Sequence, residues 1–140
     1  LTDKLEVYTW GFNAPDGSGM KSKSSPVLVL SHGITTISAN GVHSLAITQA
    51  GVLMAWGGNN SGQLGDGTTE KRATPVLVAT GIQHAAAGAH HNVAVDKEER
   101  LLLWGYHPYG PAGRADMIRT ELRPTVVDMD YRSFHFHCAT

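Results

Sequence analysis

The strongest constraint on this chain is that its sequence repeats. Trp-Gly occurs at Trp10-Gly11, Trp56-Gly57 and Trp104-Gly105, so the tryptophans lie 46 and 48 residues apart. "PVLV" begins at Pro26 and again at Pro75, and "PTVV" begins at Pro124, a constant spacing of 49. "HSLAI" from His43 and "HNVAV" from His91 are 48 apart, each histidine 13 residues before its tryptophan. Three unrelated markers with one period define an internal repeat, and a repeat folds into equivalent units that bury their faces on one another.

Each unit is predicted to be a small sheet. Segments between glycines and prolines are short, rich in Val, Ile and Leu, and partly alternating, as half-buried strands are. "HSLAI" and "VLMAW" flank the polar "TQAG", and "HNVAV" and "LLLWG" flank "DKEER", which reads as two hairpins. Alanines and charges give "QHAAAGAHHNVAVDKEERLLLW" some helix propensity. Its counterpart "SANGVHSLAITQAGVLMAW" carries Gly, Asn, Ser and Thr where a helix would suffer, and equivalent repeats share one structure, so strands are expected in both. Asn40 and Gly88, each three residues before a signature histidine, are residue types that tolerate positive φ and predict a tight bend into the His strand.

Repeats of this length built from short strands predict β-propeller blades, each a four-stranded antiparallel sheet. The fold class is therefore all-β, with about three blades of an incomplete propeller over residues 1–140. The approximate repeats are 1–29, 30–78 and 79–127, with 128–140 starting a further one. The chain opens in mid-blade without an initiator Met, as an excised piece would. Three blades cannot close a ring, so the open edges and apolar faces call for cover by remaining blades, another chain or a second copy.

From Asn40 to Val78 the sequence closely resembles the regulator-of-chromosome-condensation repeat family. The family pattern runs Gly-x-x-His-Ser/Thr-Leu-Ala-Leu, then Gly-x-Val-x-x-Trp-Gly-x-Asn-x-x-Gly-Gln-Leu-Gly-x-Gly, then Pro-x-x-Val. Its most specific block is matched by Trp56, Gly57, Asn59, Gly62, Gln63, Leu64, Gly65 and Gly67. The third repeat keeps Gly88, His91, Trp104 and Gly105 but replaces the loop with "YHPYGPAGRADMIRTELR", and the first keeps Trp10, Gly11 and Asn13 before diverging. The resemblance implies a propeller, seven-bladed in typical members. It also implies protein partners, among them small GTPases, chromatin proteins and ubiquitin-pathway components.

The glycine-rich "GNNSGQLGDGT" has the look of an anion site, but it lacks the Lys-Ser/Thr ending of a phosphate loop and no helix follows it. Its glycines instead permit turns, and Asn59 and Gln63 are placed to satisfy loop backbone groups. His43 and His91 recur with the repeat, which favours a structural hydrogen bond to the blade backbone. His84 with His90 and His91, and His135 with His137, are incomplete as metal-ligand sets. One tryptophan per repeat is expected to pack between blades. Catalytic, cofactor and metal sites are accordingly expected to be absent. The single cysteine, Cys138, forms no internal disulfide and fits a reducing, intracellular setting, cytoplasmic or nuclear.

A net charge of −1 with scattered Lys and Arg leaves no basic stripe for direct nucleic-acid binding, and no apolar run is long enough to span a bilayer. A partner surface is expected on the irregular connections, where Tyr106, Tyr109, Arg114, Met117 and Arg119 combine residue types enriched at interfaces. The expected function is a noncatalytic protein–protein interaction module within a larger protein or complex. The alternative, which the resemblance also implies, is a guanine-nucleotide exchange factor for a Ran-like small GTPase.

Overall fold

A computed structural model describes residues 4–11, 23–107 and 119–127. All regular structure in them is β-strand, in three antiparallel sheets. The first pairs β1 (Val7–Gly11) with β2 (Lys23–Leu30). The second is a meander of β3 (Ile34–Asn40), β4 (His43–Thr48), β5 (Leu53–Gly57) and β6 (Arg72–Ala79), and the third repeats it as β7 (Ile82–Ala87), β8 (His91–Asp96), β9 (Leu101–His107) and β10 (Arg119–Val126). The expected all-β, incomplete propeller is what forms. The alanine-rich stretch of the third repeat is strand, because Gly88 and its turn residues deny a helix the uninterrupted length that propensity needs.

The sheets stack because each central strand is apolar on both faces. On β4, Leu45 and Ile47 face the third sheet, where they join Leu53, Ala55, Leu64, Ile82, Ala94, Leu102 and Trp104 in one buried cluster. Between them Ala46 faces the other way and, with Trp56 and Ile34 of its own sheet, packs with Val7, Val29 and Leu30 of the first sheet. The period-2 geometry of a strand thus delivers one apolar set to each neighbour.

The outer strands are treated differently. Their pairing is irregular where the prolines sit: Pro26 falls between the Thr9–Val27 and Gly11–Lys23 pairs, Pro75 between Ala55–Val76 and Gly57–Arg72, and Pro124 between Leu103–Thr125 and Gly105–Glu121. A residue without an N–H is tolerated at an edge or a bulge, and there it blunts the edge against further pairing.

The bend into the histidine strand is present, but its left-handed residue is not the one expected. Positive φ falls at Gly41 (58°) and not at Asn40 or Gly88. Gly88 is small for a different reason: a Cβ there would lie 2.8 Å from Cε1 of His91. The β4–β5 and β8–β9 hairpins close similarly, Gly51 donating to Thr48 O (2.9 Å) and Glu99 to Asp96 O (3.0 Å). Glu99 therefore takes the left-handed conformation (φ 62°) that Gly51 holds (φ 80°) one repeat earlier.

Two outcomes follow. Replacing Glu99 by Gly relieves the left-handed strain and raises stability by up to about 1 kcal/mol in urea unfolding. Trp104→Ala, at a fully buried ring, lowers stability by about 3–5 kcal/mol, whereas Trp10→Ala, at a ring 62% exposed, changes it by less than about 1 kcal/mol.

Candidate functional site

The glycine-rich connection between β5 and β6 is the most highly organised irregular segment described. Asn59 is buried at its centre. Its Nδ2 donates to Glu70 O (2.9 Å) and Thr68 O (3.0 Å), and its Oδ1 accepts from Leu64 N (2.9 Å), so one side chain ties both ends of the loop together. Gln63 Oε1 accepts from Ser61 N (2.8 Å). Asp66 accepts from the Thr68 hydroxyl (2.7 Å) and from Arg72 Nε (2.8 Å). Burial pushes the Asp66 carboxyl pKa up, but these bonds outweigh it and hold the group below the ordinary carboxylate value. Of the loop amides, those of Ser61, Gly62, Leu64, Gly65, Thr68 and Glu70 donate within the loop, and that of Gly67 donates to Leu122 O on β10.

The loop also reaches across to the next sheet. Leu64 is buried against Trp104, and Trp104 Nε1 donates to Gln63 O (3.0 Å). A Cβ on Gly65 would sit 2.8 Å from the Trp104 ring, so the loop approaches the indole as closely as a bare backbone allows. Asn92 Nδ2 donates to the same Gln63 carbonyl, and Asn92 Oδ1 lies 2.6 Å from His43 Nε2. The histidine was expected to bond blade backbone; it bonds instead to a side chain of the neighbouring sheet. Ser38 Oγ adds a further link between sheets by accepting from Ala87 N (3.0 Å).

The signature residues therefore have distinct locations. His43, Trp56, Asn59, Gln63, Leu64 and Trp104 are buried, while His91 is half-buried. Gly57 and Gly105 take φ of 107° and 90°, and a Cβ on Gly57 would lie 2.5 Å from Val42 O. These glycines let each β5-type strand turn beneath the bend of the previous hairpin, with Gly58 N donating to Val42 O (2.7 Å) and Tyr106 N to His90 O (2.9 Å). Gly62, Gly65 and Gly67 turn the loop with positive φ. Trp10, followed by Gly11 (φ 97°), holds the same repeat position as Trp56 and Trp104 but stands in the open, with no sheet described on that side.

Tyr106 is 40% exposed and projects from the same end of the sheets as Val42 (39% exposed) and the exposed His90. The other expected partner-loop residues are not gathered here: Tyr109, Arg114 and Met117 lie outside the described residues, and Arg119 begins β10. His135, His137 and Cys138 are also outside them. Among the described residues, no three His, Cys, Asp or Glu side chains converge in a way that would hold a metal ion, and no helix is long and apolar enough to cross a membrane.

Comparison with known proteins bears on what this organisation is. The regulator of chromosome condensation (RCC1) repeat family matches at residues 34–63 and at residues 50–95. Residues 34–95 of this chain carry RCC1 repeat sequence. It is 36% identical over 75 residues to the human E3 ubiquitin-protein ligase HERC2, an alignment that covers 49% of the chain and 2% of that protein. It is 38% identical over 73 residues to the ultraviolet-B receptor UVR8 of Arabidopsis thaliana, covering 47% of the chain and 16% of the receptor. Its fold matches human WBSCR16 (TM-score 0.74, 23% identity, 96% of this chain and 36% of that one). It also matches Saccharomyces cerevisiae Prp20p, a protein described with its binding to Gsp1p and histones (TM-score 0.73, 21% identity, 89% and 33%). The chain thus spans a small part of each full-length relative and about a third of each solved propeller.

In RCC1-repeat terms, the signature loop of one blade clasps the tryptophan of the next. Sequence reasoning did not single out Asn92, Asp66, Thr68 or Arg72. A signal for Asn92 was present, since it follows His91 directly and lies 49 residues from His43, one repeat plus one. Asn59→Ala strands the buried Leu64 N and removes two part-buried bonds to Thr68 O and Glu70 O, and is expected to lower unfolding free energy by about 2–4 kcal/mol, from ~1–3 for the buried donor and ~0.5 for each of the other bonds. Urea unfolding followed by tryptophan fluorescence measures this.

Proposed function

We propose that this chain is a noncatalytic protein-interaction module, part of an RCC1-like propeller in a larger protein or complex. The observation that carries this is how the polar side chains are used. The asparagines, glutamine and histidine that would make a ligand site are buried and engaged in holding loop to loop and sheet to sheet. What remains at the loop end is Val42, His90 and Tyr106, a mixed apolar and aromatic surface on a rigid frame, the kind that anchors protein partners. Tyr109, Arg114 and Met117 lie outside the described residues, and with Tyr106 and Arg119 they are our candidates for partner contact on residue type alone.

The named relatives support the class of partner. Prp20p is described with Gsp1p and histones, and HERC2 is an E3 ubiquitin-protein ligase. A small GTPase, a chromatin protein or a ubiquitin-pathway component is therefore the partner class we assign, in an intracellular setting. In this reading the exposed Trp10 face is covered by a remaining blade or by another chain, as Trp56 and Trp104 in the same position are each packed with the preceding sheet. Repeats at 1–29, 30–78 and 79–127, with a further one starting at 128–140, fit this assignment.

The second reading is nucleotide exchange on a Ran-like GTPase, favoured by the Prp20p likeness in fold. Exchange demands that the propeller bind the nucleotide-free GTPase more tightly than the loaded form. Release of labelled GDP from a panel of small GTPases, measured with the complete protein, separates the two. Binding without accelerated release is expected; acceleration overturns the module reading in favour of exchange. Tyr106→Ala is expected to weaken capture of a bound partner by about tenfold or more, as loss of an aromatic anchor does.

A further inference from the structure

The junction between the second and third sheets is closed by a histidine with one ring nitrogen left unanswered. Asn92 donates to Gln63 O through Nδ2, so its Oδ1 is the accepting end, and His43 Nε2 donates to it across 2.6 Å. Nδ1 is then a bare lone pair, buried and without a partner among the described residues. Any second proton on this ring must go to Nδ1, where no acceptor waits.

The groups around the ring do nothing to welcome that charge. On its own sheet His43 is paired with Asn40 of β3 and Gly57 of β5, and the loop contributes Gln63 through Asn92. The titratable groups that face it are His90 and His91, from the bend and strand of the third sheet, and both repel a protonated ring. Burial is the largest effect and, with these two histidines, holds the His43 pKa below its ordinary 6.5, while the Asn92 bond pulls the other way because a charged ring donates more strongly.

We propose that His43, His90 and His91 make this junction an acid-sensitive latch, in which protonation at His43 Nδ1 puts an unpaired charge into the interface and loosens the second sheet from the third. The bend that carries His90 also holds Tyr106 through the His90 O to Tyr106 N bond (2.9 Å), so opening the latch disturbs the exposed aromatic surface. The consequence for partners rests on the interaction-module reading; the latch itself does not.

The sign follows from proton uptake. A histidine whose folded pKa lies below its unfolded value binds fewer protons folded than unfolded between the two. Its stabilising contribution is complete above about pH 6.5 and is lost as pH falls below that value.

The test uses the full chain without any partner. Ring ¹⁵N spectra are expected to show His43 protonated at Nε2 and bare at Nδ1 at pH 7.5, titrating below 6.5. The melting midpoint is expected to fall by about 3 °C or more between pH 7.5 and 5.5. His43→Gln, which keeps an amide donor near the Nε2 position and cannot titrate, is expected to remove more than half of that fall, whereas His32→Gln leaves it unchanged. Titration of His43 at or above 6.5, a proton on Nδ1 at pH 7.5, or a full acid slope in His43→Gln overturns the latch. If His43→Gln does not fold, the native protein decides. A Trp104 indole cross-peak that stays fixed while His43 titrates overturns the latch, and one that moves with it supports it. None of these readouts involves a partner, so their failure leaves the module reading standing.

Discussion

The interaction on which the rest depends is the contact between a loop backbone and the indole of the following sheet. Gln63 O receives both Trp104 Nε1 and Asn92 Nδ2, and Leu64 beside it enters the core that Trp104 closes. A β-sheet that is apolar on both faces cannot stand alone in water and must be sandwiched. A loop with the buried Leu64, tight glycines and the Gln63 carbonyl packs against the indole while satisfying its N–H. Trp56 is likewise buried one sheet earlier, at 2% exposure with Val7 and Ile34 in its cluster, but its Nε1 has no hydrogen-bond partner among the described residues.

That packing explains why polar residues in this chain look catalytic and behave as structure. Buried polar groups are costly unless paired, so each one fixes a geometry that must be met for the fold to form. Asn59 fixes the loop on itself, Asn92 fixes the loop to the next sheet, and His43 fixes one sheet to another. The chain therefore gains specificity of stacking from the side chains that an enzyme would present to a substrate. His43 differs from Asn59 and Asn92 in leaving a ring nitrogen without a partner among the described residues, one that can take up a proton, which is why it carries a conditional role.

Much of the fold was legible because it is written redundantly. The spacing of Trp-Gly, Pro-Val and His markers located the sheets, and the prolines turned out to sit at the irregular points of the outer strands, β2, β6 and β10. The family-like loop was legible as punctuation from what it lacked. The left-handed residue of the hairpin bend was misplaced by one, at Asn40 in place of Gly41, since sequence gives which residues tolerate positive φ but not which of two neighbours adopts it. Glu99 shows the converse: nothing in its residue type announces the conformation that its turn imposes.

By itself, then, the sequence determined the repeat length, the strand character of each segment and the apolar residues that must be hidden, because periodicity and side-chain chemistry are local properties. Only the tertiary structure decided partners across sheets: that His43 would meet Asn92 and not backbone, and that Gln63 would act through its carbonyl as well as its side chain. Those outcomes depend on how one unit is rotated and seated on the next. Identical markers in consecutive repeats carry no record of that until the units are packed.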